Sequence, residues 1–349
     1  MFLAPGIITD AQEKNTFFIG SQAHYGFIIA HSDSIAAASH TNPTGIEIDL
    51  NWLHTNYDSW KVFRHYNISG IQLGYYNYGS PDIVGKSYLL SFYTEPILSR
   101  GNRYYFSVRA GAGISYQTKV FDFVTDTLNK FFSTRLAFPL NLSARFRYRL
   151  SPELYLTASA VYNHISNGAV KVPNFGINFP TAALGLEYFP KQLPAFDQGY
   201  TPSASGKMRQ QYFLVQMIEG YKWVYGEATW SYGLGIRYGM QLRNYYALNA
   251  GAELLLDGSI KRMRSVLERS FDYKRFGLTF GQDFILGKIT FSQMLGVYLY
   301  SPYKPKHPVY QKYELSYKII KPLNAGIYLK AHTSDADMFG FMVNFYFRK

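Results

Sequence analysis

The stretch YYFSVRAGAGISY, residues 104–116, alternates between two kinds of side chain. Every second residue from Tyr104 to Tyr116 is apolar or aromatic, and the residues between them are polar or glycine, apart from Tyr105. The stretch LNLSARFRYRL, residues 140–150, repeats the pattern with three arginines on its polar face. Because side chains of a β-strand point alternately to opposite faces, this period of two predicts strands.

The length of these runs indicates what surrounds the strands. They span 13 and 11 residues, whereas a strand of a soluble protein usually has about 5 to 6. A tilted strand that crosses a bilayer needs about 9 to 11. An apolar face bounded by aromatic residues, opposite a polar face with arginines, is typical of outer-membrane barrels. Since an open edge would leave unpaired N–H and C=O groups in hydrocarbon, the fold class predicted is an all-β, transmembrane antiparallel β-barrel.

The composition excludes other classes. Tyr, Phe and Trp make up 18% of the 349 residues and charged residues 17%, which excludes disorder. The mean hydropathy of −0.15, without an apolar run of about 18 residues, excludes a helical membrane bundle. The absence of Cys excludes disulfides and thiolate sites. A net charge of +12 suits phosphate groups, and in a barrel those of lipids; no nucleic-acid partner is expected.

Sixteen segments carry the alternation, an even number as bacterial single-chain barrels require; fourteen is the alternative count. The segments are 16–31, 44–55, 61–77, 86–98, 103–117, 137–150, 153–166, 178–189, 208–222, 227–240, 244–256, 273–285, 288–300, 312–320, 325–332 and 337–348. Short and long connections alternate, which predicts periplasmic turns and extracellular loops.

The prediction for domains is a single barrel over residues 16–349. The alternative is a division into halves, 16–190 and 207–349, because the connection 190–207 contains three prolines and several small polar residues. Residues 1–15 begin with a short apolar stretch without a basic region, and we interpret them as a signal-peptide remnant or an N-terminal extension.

Two H-x-S triplets mark the ends of strands, and their parity separates them. His164 and Ser166 continue the apolar, lipid-facing set of segment 153–166, and Asn178 continues that of the next segment. His332 and Ser334 share parity with lumen residues and are predicted to be lumen or loop polar groups. Because polar groups that face hydrocarbon are costly, the first triplet is the candidate site.

Serine, histidine and asparagine on one face supply a nucleophile, a base and an orienting group. Ser166 would attack an ester carbonyl, and His164 would accept the hydroxyl proton and return it to the leaving alcohol. Asn178 would accept a hydrogen bond from the imidazole. The backbone N–H groups of Asn167 and Gly168 are the candidate oxyanion donors. A site that faces lipid suggests a lipid substrate.

The motif His164-x-Ser166-Asn167-Gly168, with Asn178 twelve residues after the serine, resembles two groups of outer-membrane esterases. PagL-type lipid A 3-O-deacylases have H-x-S-N with a Glu in the third role, and outer membrane phospholipase A has H-x-S-N-G with an Asn there. Three further stretches resemble the longer acyloxyacyl hydrolases of the PagL type. They are residues 24–32 (HYGFIIAHS), residues 45–49 (GIEID) and the pattern Pro173-Asn174-x-Gly176-x-Asn178. The resemblance covers about 16–190; residues 207–349 show none.

The chain departs from both groups. Asn178 stands where the lipid A deacylases have Glu, so the imidazolium would be stabilised less. The phospholipase uses calcium, which prefers carboxylate ligands, but the segment 166–178 has no Asp or Glu. This favours the PagL-type interpretation, in which no cofactor or metal is expected. Sixteen strands also exceed the small barrel of either group.

Basic residues suggest where lipid phosphates bind. The loop predicted to follow segment 244–256 carries Lys261, Arg262 and Arg264, and Lys171 lies in another outer loop; lipid phosphate binding and simple solvation are the two interpretations. Four arginines of the polar face are predicted to pair with Glu47, Asp49 and Glu187 inside the lumen: Arg109, Arg145, Arg147 and Arg149.

The sequence thus predicts a serine esterase in the outer membrane of a Gram-negative bacterium, which hydrolyses an ester-linked acyl chain of lipid A in lipopolysaccharide. Outer membrane phospholipase A, acting on phospholipid, is the alternative function. A catalytically silent barrel that serves as pore or scaffold is the second alternative. No protein partner is predicted.

Overall fold

The computed structural model describes residues 15–55, 66–190, 210–243, 245–268, 270, 272–301, 307–333 and 335–348. Within them lie sixteen strands, which overlap the sixteen predicted segments. They are β1 Thr16–Gly26, β2 Thr44–His54, β3 Asn67–Asn77, β4 Lys86–Arg100, β5 Tyr104–Gln117, β6 Leu136–Arg149, β7 Leu154–Ser166, β8 Ile177–Tyr188, β9 Gln210–Val224, β10 Glu227–Arg243, β11 Tyr246–Leu256, β12 Lys274–Leu286, β13 Ile289–Tyr300, β14 Val309–Lys318, β15 Leu323–His332 and β16 Asp335–Arg348. Strand β1 ends five residues before its predicted end, and residues 61–65 of the third predicted segment lie outside the described residues. The all-β antiparallel class and the count of sixteen are confirmed.

The strands close as two barrels of eight. In the first, β1 pairs with both β2 and β8; in the second, β9 pairs with both β10 and β16. The prediction of a single closed barrel is therefore wrong. Eight strands enclose a space that side chains can fill, and each half of the sequence supplies its own filling. The segment 1–14 and the connection 191–209 lie outside the described residues.

The lumen of the first barrel is filled by ion pairs. Arg109 Nε contacts Glu95 Oε2 at 2.7 Å and its Nη1 contacts Asp49 Oδ2 at 2.9 Å, while Arg147 Nε contacts Glu187 Oε2 at 2.6 Å. Arg145 joins Glu47 and Asp49. The predicted lumen pairing is confirmed for these three arginines. Arg149 is exposed instead, because it lies at the last position of β6, and Glu95 is a partner that the sequence did not identify.

The second lumen has a different set of charges. Lys312 and Lys330 both contact Glu253, and Arg237 contacts Glu314 at 2.8 Å. His332 is also buried, against the rings of Tyr298 and Tyr310, and its Nδ1 lies 3.1 Å from the Val309 carbonyl oxygen, so the prediction that it faces the lumen is confirmed. Ser334 lies outside the described residues. Two filled lumens leave the outer walls as the surfaces on which these barrels meet lipid.

Two short helices lie in long connections at the same end of the strands. Helix α1, Asp33–Ser39, connects β1 to β2, and helix α2, Gly258–Val266, lies between β11 and β12. Asp257 caps α2, its side chain accepting hydrogen bonds from the N–H groups of Ser259 and Ile260. In the described part of the chain no helix is long and apolar enough to cross a membrane. The β7–β8 loop lies at the end of the first barrel that carries α1, and the candidate site lies where β7 and β8 meet this loop.

Candidate active site

The sequence-predicted residues lie on the outer wall of the first barrel, where β7 meets its loop. Along β7, Val161, Asn163 and Ile165 are buried in the lumen, while Tyr162 is exposed; His164 and Ser166 share the parity of Tyr162. In the register of β7 and β8, His164 lies directly opposite Asn178. The three side chains therefore lie on one face, the outward one.

The three side chains form a hydrogen-bonded chain. His164 Nδ1 lies 2.7 Å from Asn178 Oδ1, and His164 Nε2 lies 3.1 Å from Ser166 Oγ. Because an amide oxygen can only accept, Nδ1 carries the proton and donates to Asn178. The lone pair of Nε2 then faces the serine hydroxyl. This tautomer can remove a proton from Ser166, as a nucleophile requires.

His31 extends the chain by one residue that the sequence analysis did not select. Asn178 Nδ2 lies 3.2 Å from His31 Nδ1, and His31 Nε2 lies 3.0 Å from the Phe175 carbonyl oxygen. His31 Nδ1 also lies 3.3 Å from the Ile29 carbonyl oxygen. The one signal in the sequence was its position in the segment HYGFIIAHS; its contact with Asn178 joins residues 147 positions apart.

The loop between β7 and β8 depends on Asn174 and Gly176. Asn174 Oδ1 accepts a hydrogen bond from the Asn167 N–H at 3.0 Å. Gly176 has a φ of +67°, and a Cβ there would lie 2.9 Å from the Ile165 carbonyl oxygen and 3.1 Å from His164 Cε1. Only glycine lets the backbone pass so close to the imidazole. The structure thus explains three positions of the sequence pattern over residues 173–178, namely Asn174, Gly176 and Asn178.

One of the two predicted oxyanion donors is already engaged. The Asn167 N–H donates to Asn174, and the Asn167 side chain donates from Nδ2 to Ser133 Oγ at 3.0 Å and to the Lys171 carbonyl oxygen at 2.9 Å. Asn167 therefore fastens the loop, and its N–H would have to leave Asn174 to serve as the predicted oxyanion donor. Gly168, with a φ of +66°, remains the candidate oxyanion donor.

An apolar depression of about 730 Å³ lies on the outer wall below the site. Tyr162 and Pro180, which line it, occupy the row of the sheet next to His164 and Asn178. Ala160 and Ala182 form the following row. These small side chains create the depression between the larger rings of Tyr25 and Tyr162, so an alkyl chain could lie there against the sheet.

The four predicted phosphate-binding residues lie in two places. Lys261, Arg262 and Arg264 are on α2 of the second barrel, and Lys171 is exposed in the β7–β8 loop of the first. Arg262 Nη2 contacts Glu227 Oε1 at 2.6 Å, and Lys261 Nζ lies 5.7 Å from the centre of the Tyr273 ring. Part of the positive charge of α2 is therefore compensated within the protein.

Three solved structures are similar to the chain at low identity. Neisserial surface protein A covers 50% of this chain and 96% of its own, with 9% identity and a TM-score of 0.34. The match to the Acinetobacter baumannii outer membrane protein Omp33 covers 96% of this chain and 99% of Omp33, with 9% identity and a TM-score of 0.20. The match to a mutant of Rh. blastica porin covers 95% of this chain and 100% of the porin chain, with 7% identity and a TM-score of 0.21.

No curated protein sequence matches the chain. Family models match both halves: lipid A 3-O-deacylase (PagL) over residues 45–187, and the C-terminal domain of acyloxyacyl hydrolase over residues 209–349. The second match falls where inspection of the sequence found no resemblance. The two matches together span far more than half of the chain and correspond to its two barrels. The chain belongs to the PagL-type family of lipid A 3-O-deacylases and acyloxyacyl hydrolases, which are ester hydrolases of outer-membrane lipid.

Proposed function

We propose that this protein removes an ester-linked acyl chain from lipid A in the outer membrane of a Gram-negative bacterium, with Ser166, His164 and Asn178 as its catalytic residues. The observation that carries the proposal is the hydrogen-bonded chain from Ser166 Oγ through the imidazole to Asn178 Oδ1. It lies on the lipid-facing wall, where polar side chains need a reason.

In the first half of the reaction, Ser166 Oγ attacks the ester carbonyl carbon while His164 Nε2 accepts the hydroxyl proton. The carbonyl oxygen becomes an oxyanion, to which the Gly168 N–H is the candidate donor. As the C–O bond of the ester breaks, His164 returns the proton to the alcohol oxygen. Deacylated lipid A leaves, and the acyl group remains on Ser166.

In the second half, water replaces the alcohol. His164 Nε2 accepts a proton from the water, whose oxygen attacks the acyl carbonyl carbon. When the bond to Ser166 Oγ breaks, the proton returns to the serine and a free fatty acid leaves. Asn178 keeps the proton on Nδ1 in both halves, so that Nε2 alone exchanges protons.

The position of the site supports a lipid substrate. An acyl chain bound in the depression lined by Ala160 and Ala182 would lie against the barrel wall, just as it lies against neighbouring lipid chains in the membrane. Its ester would then reach the level of Ser166 at the outer end of β7. We therefore infer that the substrate enters from the membrane plane and not from solution.

We also propose that Lys171 and the basic side chains of α2 (Lys261, Arg262 and Arg264) attract the phosphates of lipid A. The proposal predicts that replacing Lys261 and Arg264 by Gln raises KM and makes activity less sensitive to salt, because exposed charges are screened within about 10 Å at 0.1 M salt. An unchanged KM at low salt would refute it.

Phospholipase A activity is the second candidate, and Asn178 is the observation that favours it, because the phospholipases resembled by the motif have Asn in this role. The two functions differ in product. A lipid A deacylase leaves phospholipid intact, whereas a phospholipase releases lysophospholipid.

The test is mass spectrometry of lipid A and phospholipid from the same Gram-negative cells, which express either the wild-type protein or Ser166→Ala. We expect wild type, and not Ser166→Ala, to give lipid A lighter by one acyl chain. The matched control is His332→Gln, which changes the histidine of the lumen-facing triplet and should retain activity.

Identical lipid A from wild type and Ser166→Ala, with the barrel present in the membrane, would refute the deacylase. Lysophospholipid that appears only with wild type would instead establish the second candidate.

A further inference from the structure

The second barrel touches the first directly beside the candidate site. Phe138 on β6 is the register partner of Ser166 on β7. Its ring stacks on the ring of Phe339 of β16, with centroids 4.5 Å apart and planes 22° from parallel. Each phenylalanine occupies an outward position of its own barrel. An aromatic pair from two barrels therefore adjoins the nucleophile on its β6 side.

The same contact covers the loop that follows the nucleophile. A Cβ on Gly168 would lie 3.0 Å from Phe339 Cβ, so the backbone of the candidate oxyanion donor passes close to the second barrel. The Trp223 N–H of β9 donates to the Val170 carbonyl oxygen at 3.0 Å. The ladder between β9 and β16 begins at Tyr221, so Trp223 lies beyond it. Its N–H, which an uncovered edge would leave to solvent, is bonded to the first barrel instead.

Among the described residues, the contacts named above lie at the rim. One row below Phe138, Leu140 is 49% exposed, and one row below Phe339, Phe341 is 54% exposed. The two barrels thus meet beside Ser166 but leave the outer wall beneath it open. An acyl chain whose ester lies at Ser166 can follow the wall toward Tyr162, but the paired rings occupy the space on the β6 side.

We propose that the second barrel forms one side of the substrate site and that Phe339 is a specificity-determining residue, which admits a single straight acyl chain and excludes a second chain branching toward β6. This inference rests on the proposed function and deepens it, because it names the class of ester that the site accepts. Phe339 does no chemistry: it fills volume next to the acyl carbonyl and packs on the loop of Gly168.

The test compares two synthetic esters in mixed detergent micelles with the full-length protein. One is p-nitrophenyl dodecanoate; the other is the same ester with a second dodecanoyl chain on an oxygen at carbon 3. We expect Phe339→Ala to raise the ratio of kcat/KM for the branched over the straight ester by about tenfold, since one pocket group commonly discriminates by that amount. Phe339→Leu, which disturbs packing less, should give an intermediate ratio.

The matched control is Phe347→Ala, on the outward face of the same strand, 56% exposed at its far end. It should leave the ratio unchanged. Hydrogen exchange of the Trp223 amide, measured by mass spectrometry, gives a readout independent of activity: it should be faster in Phe339→Ala than in Phe347→Ala.

An active wild type whose ester ratio is the same in Phe339→Ala, Phe339→Leu and Phe347→Ala would overturn the inference while leaving the proposed function standing. An equal fall of activity on both esters in Phe339→Ala would also overturn it, because that result indicates only a loss of structure. A wild type without activity on either ester or on lipid A would defeat the proposed function, and this inference with it.

Discussion

The side-chain amide of Asn178 donates from Nδ2 to Nδ1 of His31 at 3.2 Å. His31 can accept this bond because its other nitrogen, Nε2, donates to the Phe175 carbonyl oxygen at 3.0 Å. With Nδ2 directed to His31, Oδ1 is directed to His164. A backbone carbonyl thus determines the orientation of the amide, and the amide determines the tautomer of the base.

Removing His31 should slow the reaction without weakening substrate binding. His31→Ala leaves the Asn178 amide without its acceptor, and one neutral hydrogen bond contributes about 0.5–1.5 kcal/mol. We expect kcat to fall about two- to twelvefold with KM unchanged, and His31→Gln, which offers an acceptor, to recover part of the loss. The control is His40→Ala, an exposed histidine just after α1. A rise of KM alone in His31→Ala would show that His31 does not orient the amide.

Removing the acceptor on Asn178 should have a larger effect. Asn178→Leu leaves the Nδ1 proton of His164 without a partner, so the base is no longer held in the active tautomer. General-base catalysis contributes about 10²–10⁴-fold, and we expect kcat to fall within that range. Asn178→Asp keeps an acceptor and adds a charge that stabilises the imidazolium, and should remain active. Wild-type kcat in Asn178→Leu would refute the orienting role.

Gly176→Ala should disable the site through a steric effect. The new Cβ would meet the Ile165 carbonyl oxygen and His164 Cε1, and the left-handed backbone adds about 1–2 kcal/mol. Gly287→Ala is the matched control, because Gly287 has a φ of +66° and nothing within 4 Å of its Cβ position. We expect esterase activity to fall at least tenfold in Gly176→Ala and to stay unchanged in Gly287→Ala. The heat-dependent shift in gel mobility that is typical of folded barrels should show that both barrels are folded in each variant. Equal activity of the two variants would contradict the role of Gly176.

Breaking an ion pair inside the first lumen should lower stability. Arg147→Met leaves Glu95 and Glu187 buried without this cation, and removing one partner of a buried pair costs about 3–5 kcal/mol. We expect a lower unfolding midpoint in urea, measured by fluorescence in micelles, whereas Arg149→Met, at an exposed position, should leave it unchanged. The same midpoint in both variants would mean that the lumen charges do not hold the barrel.

Much of the fold was predictable because it is local. Alternation of apolar and polar residues reflects the two faces of one strand, so β5 and β6 could be placed within about a residue. How the strands close into barrels could not be predicted in this way, because closure pairs strands that are distant in the chain. The pairing of β1 with β8 joins Ile19 to Tyr188, which are far apart in the chain, and alternation is the same for one barrel of sixteen strands as for two of eight.

The sequence by itself determined the strands, the outward parity of His164, Ser166 and Asn178, and the resemblance of their motif, because parity and spacing are properties of neighbouring residues along the chain. Only the tertiary structure decided that His31 orients Asn178, that Asn167 fastens its own loop, and that Phe339 lies beside the nucleophile. The contacts of His31 and Phe339 join segments that are distant in sequence. Those of Asn167 depend on the folded path of the β7–β8 loop and on Ser133, and neither follows from the alternation within a single strand.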